Sequence, residues 1–341
     1  MKTVFVVDDS DTNLSMAEAA LENQYRVMTM PSAAKMFTLL EKVIPDLILL
    51  DIEMPEMDGF AALTKLKSVN SLANIPVMFL TGRNDSEVEA RGFQIGAVDF
   101  VTKPFSAPVL LNRIKNHLDI DEIIRERTMQ FNRLQNSIVS VLANVVENRD
   151  TGTSGHIERT SAYIKILIDG MKKNGVYSEE IEDWDTDKII SSARMHDLGK
   201  VSVTDIIINK PGKLTDEEYE IMKTHAQEGE RIIDEIIART GEGEFLRNAR
   251  LFAGCHHERW DGKGYPHRLK GTEIPLQGRI MAIVDVYDAL VSERPYKKAI
   301  PADEAVEIIM QSSGTHYDPL IADVFYEARE QFKQVRLRPG L

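Results

Sequence analysis

Short apolar runs alternate with helix-length amphipathic stretches through the first third of the chain. The runs are Val4-Phe5-Val6-Val7, a weaker Arg26-Val27-Met28-Thr29-Met30, Leu47-Ile48-Leu49-Leu50, Val77-Met78-Phe79-Leu80 and Phe100-Val101. Continuous apolar runs of strand length, separated by helical patterns, predict a parallel sheet buried on both faces over residues 1–118. In such doubly wound α/β folds, ligands bind at the carboxyl ends of the strands. The polar residues found there are Asp8 and Asp9 after the first run, Asp51 after the third, Thr81 after the fourth and Lys103 after the last.

The pattern then changes period. Residues 119–148 contain neither Pro nor Gly, and Ile124, Phe131, Ile138 and Val145 recur every seven residues. Leu134 and Val141 fill the offset positions, with Arg127 interrupting that row. This predicts a long, coiled-coil-like linker helix whose seam forms a parallel dimer contact. The alternative is an amphipathic helix packed on its own domain. Residues 149–341 carry helical periodicity almost throughout and predict an all-α domain. Thr215 and Glu218 form a capping-box pattern, and Arg279 to Ser292 reads as a buried helix. Lys210-Pro211-Gly212 and Asp261 to Pro266 separate helices.

Composition narrows the function. A length of 341 residues with 43% apolar content supports two or three domains with real cores. The net charge of -13 and the lack of a basic tract argue against long nucleic acids as partners. They leave room for a small nucleotide, whose charge can be met locally by metals and a few Lys or Arg. The single cysteine, Cys255, fits a reducing cytoplasm and reads as packing. The N-terminus is too short in apolar residues for a signal peptide, and no segment approaches membrane-spanning length. The expected location is therefore cytoplasmic.

The polar residues of the first domain suggest a phosphate pocket. Three carboxylates repel one another unless a hard cation joins them, and Mg²⁺ suits carboxylates and water. The strings Asp8-Asp9, Asp51-Ile-Glu-Met-Pro-Glu-Met-Asp-Gly59, Thr81-Gly82 and Lys103-Pro104-Phe105 resemble a two-component receiver domain, of flavodoxin-like fold. The resemblance implies Asp51 as phosphoacceptor, with Asp8, Asp9, Asp51 and the Glu53 carbonyl around Mg²⁺. It implies Thr81 and Lys103 as phosphoryl contacts, Phe100 at the aromatic switch position, a cis Lys103-Pro104 bond and a sensor histidine kinase as partner. His117 reads as closing the last receiver helix, with no special role.

The second half concentrates imidazoles. His156, His196-Asp197, His225 and His256-His257 fall between residues 150 and 260, and Asp285 stands inside an apolar helix, where an unpaired charge is costly. Imidazoles with carboxylates hold divalent transition metals. More ligands are present than one ion needs, so two metals and phosphoester hydrolysis follow. The strings His196-Asp-Leu-Gly-Lys200, Lys210-Pro-Gly-Lys-Leu214, His256-His-Glu-Arg-Trp-Asp-Gly-Lys-Gly-Tyr-Pro266, Asp285-Val-Tyr-Asp-Ala-Leu290 and Arg294-Pro-Tyr296 closely resemble the HD-GYP family of cyclic-dinucleotide phosphodiesterases.

That resemblance implies one metal on His156, His196, Asp197 and Asp285, another on His225, His256 and His257, and Asp197 bridging both. It implies a metal-activated hydroxide as nucleophile, Fe or Mn as the metals, and Lys200, Arg294 and Lys297 as phosphate contacts. Asp197 and Lys200 are the expected catalytic residues. Tyr265 either touches a guanine or packs under its loop, and His267 and His316 read as surface residues. Some family members hold a third metal through a Glu four residues before the first ligand His. Gly152 stands there, so two metals are expected, and the altered loop bears directly on His156.

The expected protein is thus a multidomain, phosphorylation-controlled response regulator: a doubly wound receiver and an all-α HD-type bundle joined by a long helix. It would hydrolyse cyclic di-GMP to pGpG or GMP and pair as a homodimer. The rivals are a non-catalytic signalling adaptor and an HD-type hydrolase of cyclic GMP-AMP or another nucleotide.

Overall fold

The computed structural model describes residues 1–82, 86–149, 155–293 and 298–336. Arg294, Lys297 and Gly152, singled out above, lie outside the described residues. The chain divides into two compact units, Met1–Phe131 and Asn132–Leu341.

The first unit alternates β1 (Thr3–Val7), α1 (Asp11–Leu21), β2 (Arg26–Met30), α2 (Ala33–Leu40), β3 (Leu47–Asp51), α3 (Gly59–Lys67), β4 (Val77–Thr81), α4 (Ser86–Gln94) and β5 (Asp99–Thr102). The strands lie in the order β2-β1-β3-β4-β5 and all pair in parallel. Period-2 geometry sends alternate residues to opposite faces. Phe5, Val7, Ile48, Leu50, Val77 and Phe79 pack with Met36 and Leu63 on one side. Val4, Val6, Leu47, Leu49, Met78 and Leu80 pack with Leu14, Leu21, Leu110 and Ile114 on the other. Both faces of β1, β3 and β4 are buried, which is why those runs are apolar without alternation. Burying each such side chain stabilises the fold by roughly 1.5–3 kcal/mol. Asp58 caps α3, accepting from Ala61 N–H at 2.7 Å. Gly59 lies so close to β3 that a Cβ there would stand 2.3 Å from the Asp51 carbonyl.

Helix α5 runs without a break from Ala107 to Glu147. The expectation that His117 closes a receiver helix is therefore corrected: the helix continues past it, and the His117 ring lies 3.1 Å from Asp99. With no Pro or Gly to stop it, a 3.6-residue period passes smoothly from one unit's chain into the next. The heptad residues Ile124, Phe131, Leu134, Ile138, Val141 and Val145 are 50% to 63% exposed. The face that α5 buries in the second unit is a different one, Val139, Ala143 and Val146.

The second unit adds α6 (His156–Asn174), α7 (Ser178–Ile181), α8 (Thr186–Ala193), a 3-10 turn (Leu198–Ser202), α9 (Asp205–Ile208), α10 (Asp216–Thr240), α11 (Glu244–Cys255), α12 (Leu276–Val291), α13 (Ala302–Gln311) and α14 (Pro319–Arg336). Thr215 and Glu218 form the expected capping box at the start of α10. Tyr163, Leu167, Ile283, Tyr287, Phe325 and Phe332 centre the main core between α6, α12 and α14. The predicted buried helix is α12. No helix among the described residues is long and apolar enough to cross a membrane.

Candidate functional site: two histidine clusters joined by one carboxylate

Five elements deliver the polar centre of the second unit. His156 is the first residue of α6, His225 sits within α10, His256 caps α11 with His257 following, and Asp285 lies in α12. His196 and Asp197 fall in the bend between α8 and the 3-10 turn rather than at a helix end, because α8 stops at Ala193. Glycines let these elements meet. A Cβ on Gly199 would stand 1.9 Å from the His225 carbonyl, so only glycine brings the turn after Asp197 against α10. A Cβ on Gly278 would stand 2.6 Å from the Cys255 carbonyl. That close approach seats α12 beside His256 and presents Asp285, two turns further on, toward it.

The side chains gather into two sets. Ligand atoms of His225, His256 and His257 all lie within 4.8 Å of one another, as do those of His156, His196 and Asp285. Asp197 stands between the sets. Its Oδ2 is 3.4 Å from His196 Nε2, and its Oδ1 is 3.5 Å from His225 Nε2 and 3.9 Å from His256 Nε2. Lys200 Nζ lies 2.7 Å from Asp197 Oδ2.

Outer partners fix the imidazole tautomers. His196 Nδ1 lies 2.9 Å from the Ala193 carbonyl, His225 Nδ1 2.7 Å from that of Met222, and His256 Nδ1 3.0 Å from that of Phe252. His156 Nδ1 lies 2.8 Å from Asp288 Oδ2. Carbonyl and carboxylate oxygens only accept, so each Nδ1 carries a proton and, in the neutral ring, each Nε2 presents a lone pair inward. Those lone pairs confront one another: His225 and His256 Nε2 are 3.2 Å apart, and His156 and His196 Nε2 are 3.4 Å apart. Two buried acceptors at that range repel unless a cation sits between them. The donor set therefore fits a divalent metal at each cluster.

The electrostatics favour neutral rings at His225, His256 and His257. Burial, with His196 and His225 nearby, pushes His256 down to about 3, and burial likewise holds His257 and His225 below the usual imidazole range. Burial also works against a charge on His196, but the Asp197 carboxylate overcomes it and leaves His196 raised. Burial opposes ionisation of Asp197, yet Lys200 and His196 hold it well below the usual carboxylate range.

Sequence reasoning did not single out the residues that support this set. Asp288 is buried, receives Arg159 Nε at 2.7 Å and orients His156. Its position three residues after Asp285, on the same helical face, was the available signal. Glu258, 1% exposed, accepts backbone N–H groups of His267, Arg268 and Leu269 at 2.7, 3.0 and 3.0 Å. These bonds order the loop carrying Tyr265, whose ring lies over His257 with centroids 4.8 Å apart. Cys255 is buried and burial pushes its thiol up to about 12, so it packs. His267 is exposed and reaches Glu230 at 2.8 Å. The surface assignment of His316 is corrected: it stacks on Tyr317, centroids 4.4 Å apart, and burial lowers it to about 4.

In the first unit, Asp8, Asp9 and Asp51 place carboxylate oxygens within 4.8 Å of one another at the carboxyl ends of β1 and β3. Lys103 Nζ lies 2.7 Å from both Asp8 and Asp51. The Lys103-Pro104 bond is cis. Asp51, Glu53, Thr81 and Lys103 line one cavity with Asp9 and Asn13. Asn13, not singled out in the sequence, donates its amide to Asp8 at 3.0 Å. Burial raises Asp51 despite the opposing pull of Lys103. Phe100 is buried against Phe79.

Comparison with known proteins extends these observations. The family model for the HD domain matches residues 140–321, and that for the response regulator receiver domain matches residues 4–115. A probable cyclic di-GMP phosphodiesterase of Vibrio cholerae serotype O1 is 37% identical over 97% of this chain and 78% of its own length. The cyclic di-GMP phosphodiesterase response regulator RpfG of Xanthomonas campestris pv. campestris is 31% identical over 97% of this chain and 89% of its own length. A 3'3'-cGAMP-specific phosphodiesterase 2 of Vibrio cholerae is 35% identical over 58% of this chain and 36% of its own length. The chain belongs to the response regulators in which a receiver domain precedes an HD domain of the HD-GYP type.

Proposed function

We propose that the second unit hydrolyses a phosphodiester bond of cyclic di-GMP, and that phosphorylation of Asp51 by a sensor histidine kinase controls it. The observation that carries the hydrolase reading is the pair of inward-facing ligand sets with one Asp197 oxygen toward each. His156, His196 and Asp285 would hold one divalent ion, His225, His256 and His257 another, and Asp197 both. Iron or manganese suits this mixture of imidazole and carboxylate. When bound, such a pair supplies water of lowered pKa and neutralises charge on the phosphate.

The chain's own residues do the rest. The carbonyls behind His196, His225 and His256 fix the neutral rings as Nδ1–H tautomers with Nε2 aimed inward. Lys200, drawn to Asp197 at 2.7 Å, presents an ammonium group at the same centre, where a phosphate oxygen could take it. Arg294 and Lys297 are assigned as further phosphate contacts by the family motif. Tyr265, held over His257, offers an aromatic face to a guanine. In the first unit, Asp8, Asp9, Asp51 and the Glu53 carbonyl would hold Mg²⁺, while Thr81 and Lys103 receive the phosphoryl group.

The exposed heptad row of α5 supports a homodimer through this helix. The relatives of Vibrio cholerae and Xanthomonas campestris described above, each matched along nearly the whole chain, bear cyclic di-GMP names, which favours that substrate. Relatives with cGAMP names match the second unit's part of the chain, and cyclic GMP-AMP is the second reading. Product analysis with both dinucleotides tests the assignment. Cleavage of cyclic di-GMP to pGpG or GMP is expected. A kcat/KM at least tenfold higher for cyclic GMP-AMP would reverse the choice, and no cleavage of either would favour an adaptor.

A further inference from the structure

The last four turns of α5 pack on the bend that carries His196 and Asp197. Val139 and Val146 of α5 share a cluster with Met195 and Leu198, the two residues that flank this pair. Ser191 donates its hydroxyl to Asn136 at 2.6 Å, and Arg194 donates to Ser140 at 2.8 Å. At the end of the helix two side chains then reach forward in different directions.

Glu147 accepts the backbone N–H of His156 at 2.8 Å. Helix α6 starts there with Gly155 ahead of it, at φ 74 and with no side chain to cap the first turn. The N-terminal amides of a helix need an acceptor, and a carboxylate from another helix takes the place of a local cap. The residue so capped is itself a member of the first cluster. Arg149 works on the other side. Its Nη1 donates to the carbonyls of Lys200 and Val201 at 3.2 Å each, and its Nη2 donates to that of Val203 at 3.0 Å. Its Nη2 and Nε both reach Asp205, at 2.8 and 3.0 Å, and its own carbonyl accepts from Asn209 at 2.7 Å. A planar guanidinium can hold several carbonyls at once in a fixed fork, which an ammonium cannot.

We propose that Glu147 and Arg149 are positioning residues through which the C-terminal end of α5 sets the metal centre, Glu147 by fixing His156 and Arg149 by fixing the turn after Asp197. Neither belongs to the two ligand sets. A displacement of α5 in the second unit would be read at both ligand sets together, because Asp197 faces both. The inference rests on the metal reading above.

The test is a Mn²⁺ titration by calorimetry of the metal-stripped full chain, with thermal unfolding in parallel. Wild type is expected to bind two ions. Glu147→Ala is expected to keep one ion at wild-type affinity, through His225, His256 and His257, and to weaken the other at least tenfold. Glu147→Gln keeps an oxygen that can accept the same bond, so both affinities should stay within threefold of wild type. Arg149→Lys should weaken both ions at least threefold. Unchanged affinities in Glu147→Ala, equal loss of both ions in that variant, or a Gln variant as poor as Ala would overturn the role of Glu147. Should Glu147→Ala fail to fold, Arg149→Lys decides alone, and wild-type affinities there overturn the proposal. A wild-type chain that binds no Mn²⁺ would instead remove the metal reading itself.

Discussion

Gly199→Ala is the smallest change that should take the metal centre apart without touching a ligand. Its added Cβ would lie 1.9 Å from the His225 carbonyl oxygen, 2.4 Å from Gly229 N and 2.8 Å from the His225 carbonyl carbon. All three are backbone atoms, so no side-chain rotation relieves the clash. Reaching ordinary van der Waals contact requires the 3-10 turn and α10 to part by about 1.5 Å, and overpacking of this kind costs roughly 1–3 kcal/mol. Asp197 stands two residues before Gly199, and its Oδ1 is 3.5 Å from His225 Nε2. Parting by that amount opens the pair to about 5 Å, too far for one ion with bonds near ~2.1 Å to reach both. The ion between them should weaken at least tenfold, in the range of about 10–100-fold seen when ligand orientation is disturbed. Calorimetric Mn²⁺ titration reads this directly. Gly243→Ala serves as control, since a Cβ there meets nothing within 4 Å. A Gly199→Ala protein with both wild-type affinities and an unchanged melting temperature would show that the close approach of the turn to α10 does not set the metal centre.

Three other changes probe separate parts of the account. Asp288→Asn should weaken one metal about 10–100-fold by releasing His156, and should destabilise the fold by about 3 kcal/mol because Arg159 loses its buried carboxylate partner; equal stability by urea titration would contradict this. Metal-free protein should lose stability on acidification. His256 and His316 titrate at about 3 and about 4 when folded, against 6.5 for an unperturbed imidazole, so the unfolded chain binds more protons through that window. His196, raised, acts in the opposite sense and reduces the net effect. His256 and His316 each contribute at most on the order of 1 kcal/mol between about pH 6.5 and 5.5, and denaturant midpoints in chelator that rise on acidification would show the sign to be wrong. Asp51→Asn should abolish any change in turnover on adding a small-molecule phosphodonor while leaving metal content intact; an undiminished response would take the switch away from Asp51.

What could be seen in the sequence was whatever local pattern enforces. The five strands of the first unit stand within a residue or two of their apolar runs, because a sheet buried on both faces leaves no freedom in those positions. Thr215 and Glu218 announce α10 because a capping box is a four-residue device. Histidines and aspartates suggest a metal wherever they cluster, so the ligand candidates could be gathered before any fold was known. The supporting residues could not. Asp288 meets a ring 132 positions away, and Glu147 and Arg149 look like ordinary charged residues near a helix end. Nothing local marks Gly199, since its need arises from a tertiary approach of two backbones. The length of α5 was misjudged at His117 for a related reason. A helix boundary expected from domain organisation has no stop signal in the chain, and none occurs.

Elemental analysis of the anaerobically purified 341-residue chain, joined to product identification from cyclic di-GMP, tests the two-metal hydrolase directly. About two equivalents of iron or manganese per chain are expected, with conversion to pGpG or GMP and loss of both metal and turnover in Asp197→Ala. Turnover by metal-free protein, or by Asp197→Ala at the wild-type rate, would contradict it.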